Sequence, residues 1–146
     1  MAHGAPDHTR LSDDAFSHYR DRWGTFPWAL LLAGDPANYI VNATVNGVLG
    51  DIYVVSNNPG VELTIEIDGT EVYSWAVDTL VTLGLWGYSN PQFKMSCTKY
   101  DVVLDQYAMI FSGYHQMYVH RTLRVWMVRT GAGDAAAGYC WYKERI

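Results

Sequence analysis

Five histidines, two cysteines and fifteen acidic residues are the side chains of this chain that could hold a metal or move a proton. A metal centre needs them to converge, and the spacing works against it. His115 and His120 are an odd number of residues apart, which on a continuous strand points them to opposite faces. His3, His8 and His18 fall in the N-terminal stretch, where solvated or interface roles are expected. No HExxH, calcium-loop or zinc-deaminase pattern occurs. Cys97 and Cys140 have no CxxC partner and read as small, reduced core residues rather than as a disulfide or zinc pair. Gly131, Gly133 and Gly138 share only their glycines with a phosphate loop, because no Gly-Lys-Ser/Thr follows and no βαβ unit surrounds them. No GxSxG is present, and neither Ser74 nor Ser112 sits in a strand-to-helix elbow. A glycosidase needs two opposed carboxylates, a pair that fifteen acidic residues on a β fold can supply by accident and that no motif here singles out. The expectation is a non-enzymatic chain with no cofactor and no bound metal.

The aromatic residues are the richer feature. Trp86, Tyr88, Trp126, Trp141 and Tyr142 would suit a stacking platform for sugars, through apolar contact between ring and sugar face. The competing reading is packing of a core or of a subunit interface, where Trp, Tyr and Met are enriched. A second group, Leu11, Phe16, Tyr19, Trp23 and Trp28, is read as an interface. Phe16, Tyr19 and Trp23 stand at i, i+3 and i+7, one stripe of a short amphipathic helix. Ser12 suits its N-cap, Asp13 and Asp14 its first turn, and Leu11 a staple onto Phe16. Such a helix, about ten residues long, is marginal alone in water, so its stripe needs a docking surface on its own domain or on a neighbour.

Composition limits what these residues can belong to. The chain has 146 residues, one domain's worth, with 10 basic against 15 acidic residues and a net charge of −5. There is no basic block, so no nucleic acid partner is expected. Charged residues are 17 % and aromatics 14 %, which excludes a disordered chain and suits surface hidden in an assembly. The first residues lack a positively charged start followed by an apolar run, so no export is expected. The apolar patch from Phe26 to Ala33 is broken by Pro27 and falls short of the roughly 20 residues of a membrane span, so no membrane partner is expected.

The chain divides into an arm, residues 1–37, carrying the short helix, and a β domain, residues 38–146. Tyr39, Val41, Ala43 and Val45 alternate with polar residues, Ile40 being the exception. Val48 to Val55 is an apolar run closed by Ser56-Asn57-Asn58-Pro59-Gly60. Val61, Leu63, Ile65 and Ile67 face one way and Glu62, Thr64, Glu66 and Asp68 the other, and Asp68-Gly69 marks a type I′ hairpin turn. A two-residue loop sets Ile65 opposite Val72 and Glu66 opposite Glu71; a longer bulged loop is the alternative. Further strands are read at Thr79 to Trp86, Gln92 to Thr98, Val102 to Phe111 with a break, one long central strand from Tyr118 to Arg129, and Tyr139 to Lys143 after a small-residue loop at 131–138. Turn signals about every eight to twelve residues fit an all-β, antiparallel β-sandwich, with the jelly roll its commonest eight-stranded version.

The segment Asn42-Ala43-Thr44-Val45-Asn46-Gly47-Val48-Leu49-Gly50, the Val61 to Trp75 hairpin built on Ile65-Glu66-Ile67-Asp68-Gly69-Thr70, and the opening Ala2-His3-Gly4-Ala5-Pro6-Asp7 together resemble small jelly-roll virion structural proteins of tailed bacteriophages. The resemblance covers roughly a quarter of the chain. It implies a non-enzymatic particle component, a head decoration, spike base or tail accessory protein. It also implies a homo-oligomer, often a trimer, made in the host cytoplasm, located in the virion and attached to capsid or tail proteins by an arm. No catalytic residues carry over. On this reading, removing residues 1–24 leaves a folded β domain that no longer joins its assembly.

Overall fold

The computed structural model describes residues 18–86, 95–112 and 117–146. In chain order the elements are β1 (Tyr19–Leu30), β2 (Tyr39–Thr44), β3 (Gly47–Ser56), β4 (Glu62–Ile67), β5 (Thr70–Ala76), α1 (Val77–Thr82), β6 (Met95–Asp101), β7 (Gln106–Phe111), β8 (Met117–Val119), β9 (Thr122–Val128) and β10 (Ala135–Arg145). They form two antiparallel sheets packed as a β-sandwich. The larger has the order β1-β10-β3-β7-β6, with β8 pairing the Gly47–Leu49 end of β3 beyond β7. The smaller has the order β2-β9-β4-β5. The pairs are nested: β1 with β10, β2 with β9, β3 with β7 and β8, β4 with β5. This nesting is compatible with a jelly roll.

Alternation builds the core. On β3, Ile52, Val54 and Ser56 are buried while Tyr53 and Val55 face outward. Leu63 and Ile65 of β4 and Leu123, Val125 and Met127 of β9 meet them from the smaller sheet. Tyr73 of β5 packs edge-on against Phe111 of β7, ring centroids 5.4 Å apart, and so ties the sheets together. Ile40, the exception in the alternation, is the extra residue at a bulge in β2, and it turns inward between Gly24 and Gly138. A Cβ on Gly24 would overlap the Ile40 carbonyl oxygen, and one on Gly138 would overlap the Ile40 side chain.

Several local readings are corrected by the structure. Tyr19 and Trp23 lie in β1, a strand that pairs along β10 from Tyr19↔Arg145 onward, not in a helix. The i, i+3, i+7 spacing of rings is overridden by the edge that β10 offers. Residues 19–30 therefore belong to the sheet, and a cut at residue 24 would remove half of β1. The residues proposed to start that helix, Leu11 to Phe16, lie outside the described residues. Val77–Thr82 is helical, not a strand, because Val77 and Leu80 bury at helical spacing beneath β6. The long strand read at 118–129 is two strands in different sheets. The chain turns between them at His120 and Arg121, where the Asp68 carboxylate accepts hydrogen bonds from the N–H groups of His120, Arg121 and Thr122. The small-residue loop ends at Asp134, since Ala135 to Gly138 already belong to β10. The Asp68-Gly69 turn has positive φ at both residues, 53° and 85°, and Glu66 does face Glu71. A bulge then places Ile65 opposite Tyr73 instead of Val72. The Glu66 charge is met from the other side by Arg124, 3.2 Å away.

Candidate interaction face

The strands β1, β10, β3 and β7 present a continuous outer face on the larger sheet. Residues opposite one another in antiparallel strands share a face, so the register builds this surface directly. Trp23 stands opposite Trp141, and Thr25 opposite Tyr139, which stands opposite Tyr53, itself opposite Ile110. One step along, Val55 lies between Ala137 and Ala108. Trp23 is 62 % exposed, Tyr53 46 %, Val55 43 %, Tyr139 38 % and Trp141 37 %. Large apolar side chains so exposed and so contiguous make this face the candidate contact surface of the molecule.

Local structure explains the arrangement. Trp141 sits at a bulge between Cys140 and Tyr142, where a Cβ on Gly50 would overlap the Trp141 carbonyl oxygen. The rings of Tyr53 and Tyr139 are 6.4 Å apart and tilted by 45°, so they form a rough patch rather than a flat plate. At one end the strip closes with charge. Lys143 Nζ donates to Asp21 Oδ1 at 2.8 Å across β10 and β1, and lies 5.5 Å from the centre of the Trp141 ring. Burial, then Asp51 and Tyr139, raise the Tyr53 hydroxyl above its ordinary range.

The five residues read as a sugar platform are not brought together. Trp141 is on this face. Tyr142, its neighbour in β10, points inward against the core. Trp126 is buried, although it faces away from the sandwich interior. The loop before β2 covers it: its Nε1 donates to Asp35 Oδ1 at 2.8 Å, and Tyr39 packs edge-on against its ring. Trp86 is exposed beside α1 and contacts Tyr100, far along the sheet. Tyr88 lies outside the described residues. Of the residues read as an interface, Trp23 and Trp28 are exposed on β1, Tyr19 is half-buried at its start, and Leu11 and Phe16 lie outside the described residues.

Sequence reasoning missed Tyr53 and Tyr139, whose signal was their place on the polar phase of otherwise apolar strands. It also missed Val102, Val103 and Leu104, three exposed residues at the β6–β7 turn. There the Asp101 carboxylate accepts hydrogen bonds from the N–H groups of Val103 and Leu104, both at 3.0 Å.

Two carboxylates with lowered pKa, Asp134 and Asp68, hold loops. At Asp134 burial pushes upward, but hydrogen bonds from the Thr130 N–H and hydroxyl, Asn58 and the Gly131 N–H outweigh it. At Asp68 the same contest is won by the N–H groups of Thr122, Arg121 and His120. Among the described residues no group of His, Cys, Asp and Glu could hold a metal ion, and no helix is long and apolar enough to cross a membrane.

No protein-family model matches this chain, and no curated protein matches it.

Proposed function

We propose that this chain is a structural assembly protein, a non-enzymatic component of a tailed-phage-like virion that joins copies of itself and other virion proteins by its outer aromatic face. The observation that carries the reading is the exposed strip of Trp23, Trp141, Tyr139, Tyr53 and Val55 on adjacent strands. Trp and Tyr dominate the buried centres of protein interfaces, because each covers a large area at small entropic cost. The nested strand order and the short resemblances quoted above supply the virion part of the proposal. The sugar-binding alternative loses Trp126 and Tyr142 to the protein's own packing.

Fractionation of a lysate containing the native particle tests this function. The chain should sediment with the particle in many copies and leave it when Trp141 is replaced by Arg. A chain found wholly in the free fraction overturns the virion assignment, and a Trp141→Arg protein that stays on the particle overturns the face.

A further inference from the structure

Among the described residues β1 is the outermost strand of the larger sheet, with no described strand on the side away from β10. The side is defined by the pairing with β10. The His18 carbonyl accepts a hydrogen bond from the Ile146 N–H at 2.6 Å, and the register continues as Tyr19↔Arg145 and Arg20↔Glu144. Hydrogen-bonded and non-bonded pairs alternate in an antiparallel ladder. Residues 20, 22, 24 and 26 therefore turn their N–H and C=O groups to β10, while Tyr19, Asp21, Trp23 and Thr25 turn theirs outward. The next residue of that outward series is Pro27, which has no N–H, and the strand becomes irregular there. An extended edge with four outward-facing residues before Pro27 is a template for another strand.

We propose that this edge pairs antiparallel with β1 of a second copy, about a two-fold axis through Trp23. The inference rests on the assembly reading for the choice of a copy as partner, and the charges then select the register. Centring on Asp21 or on Arg22 would face like charges across the axis. Centring on Gly24 would leave only Trp23 and Thr25 paired before Pro27, which lacks an N–H, meets Asp21, whereas centring on Trp23 keeps Asp21, Trp23 and Thr25 paired and moves Pro27 out to Tyr19 at the strand end. With Trp23 on Trp23, Asp21 faces Thr25 of the other copy and Arg22, held by Glu144 at 2.8 Å, faces Gly24, which offers no side chain to clash with it. Every outward N–H and C=O of Asp21, Trp23 and Thr25 then finds a partner.

The outer face reaches the same answer independently. Trp141 lies opposite Trp23 within each copy, so the two-fold pairing lines up four indoles, Trp141 and Trp23 of each copy, in one cross-strand row. A two-fold interface uses the same patch twice and closes at two copies. The basic unit is therefore a dimer, not the trimer that the resemblance implies.

The test uses the full chain. Light scattering should give twice the 16.5 kDa chain mass. Thr25→Pro, which removes an outward N–H and none of those bonded to β10, should give a folded protein of single-chain mass with an unchanged circular dichroism spectrum. Trp23→Cys should oxidise to a disulfide-linked dimer, because paired Cα atoms at about 5.5 Å suit that bond, while Thr25→Cys should not, since it faces Asp21 of the other copy. The native cysteines are both buried and do not compete. A wild-type chain that self-associates while Thr25→Pro still does so, or Trp23→Cys that links no better than Thr25→Cys, overturns the β1 pairing and leaves the assembly reading standing. A chain that is monomeric at every concentration also overturns the pairing, and the assembly reading is then decided separately by particle fractionation.

Discussion

Asp134 shows what one buried carboxylate does in this protein. It gathers Thr130, Gly131 and Asn58 into the turn that starts β10, and without it those donors lose their acceptor. Asp134→Ala should cost about 2–3 kcal/mol in denaturant unfolding. Its folded pKa lies below the ordinary value of 3.8, so its stabilisation is complete above that value and is lost as pH falls through the folded pKa. Asp134→Asn should therefore flatten the fall of melting temperature on acidification. The buried thiols make a contrasting case. Burial pushes Cys140 up to about 12, with Asp51 adding to it, and burial raises Cys97 as well. Neither should react with a thiol reagent at mildly alkaline pH until the protein is unfolded. The reading of both cysteines as core residues was available from the sequence because an unpaired Cys behaves as a small apolar side chain. The role of Asp134 was not, because its partners are as much as seventy-six positions away in sequence.

At the level of strands, Ile40 of the smaller sheet lies against Gly24 and Gly138 of the larger. Gly138→Ala should destabilise by about 1–3 kcal/mol through overlap with the Ile40 side chain, and Ile40→Val should relieve part of that cost in a double-mutant cycle. Gly24→Ala should cost as much and gain nothing from Ile40→Val, because its neighbour is the Ile40 backbone oxygen. Alternation and turn chemistry were enough to read β2, β3, β4 and β5, and Asp68-Gly69 even supplied the turn type. They failed where a distant group decides the outcome. Asp68 bends the chain between β8 and β9, the edge of β10 recruits β1 as a strand, and the bulge at Ile40 appears only once the second sheet is in place. Trp126 was assigned to the correct side of its strand, yet its burial depends on a loop covering that side, which periodicity does not report.

For the molecule as a whole, the outer face and the outermost described edge of the larger sheet meet at Trp23, which stands opposite Trp141. An interface centre of this composition concentrates binding energy in a few large rings, with truncation of one costing about 2 kcal/mol or more. The exposed Val103, at the β6–β7 turn, stands apart from that centre and serves as its control: Val103→Ser should change neither folding stability, by more than about 0.5 kcal/mol, nor the degree of association. The most direct measurement is the dissociation constant of the full chain by sedimentation equilibrium, compared with that of Trp141→Arg. If the aromatic face joins copies, the wild-type chain associates and the variant dissociates with a constant at least about tenfold larger, equivalent to about 1.4 kcal/mol. Equal constants for the two proteins, or no association of either, would contradict it.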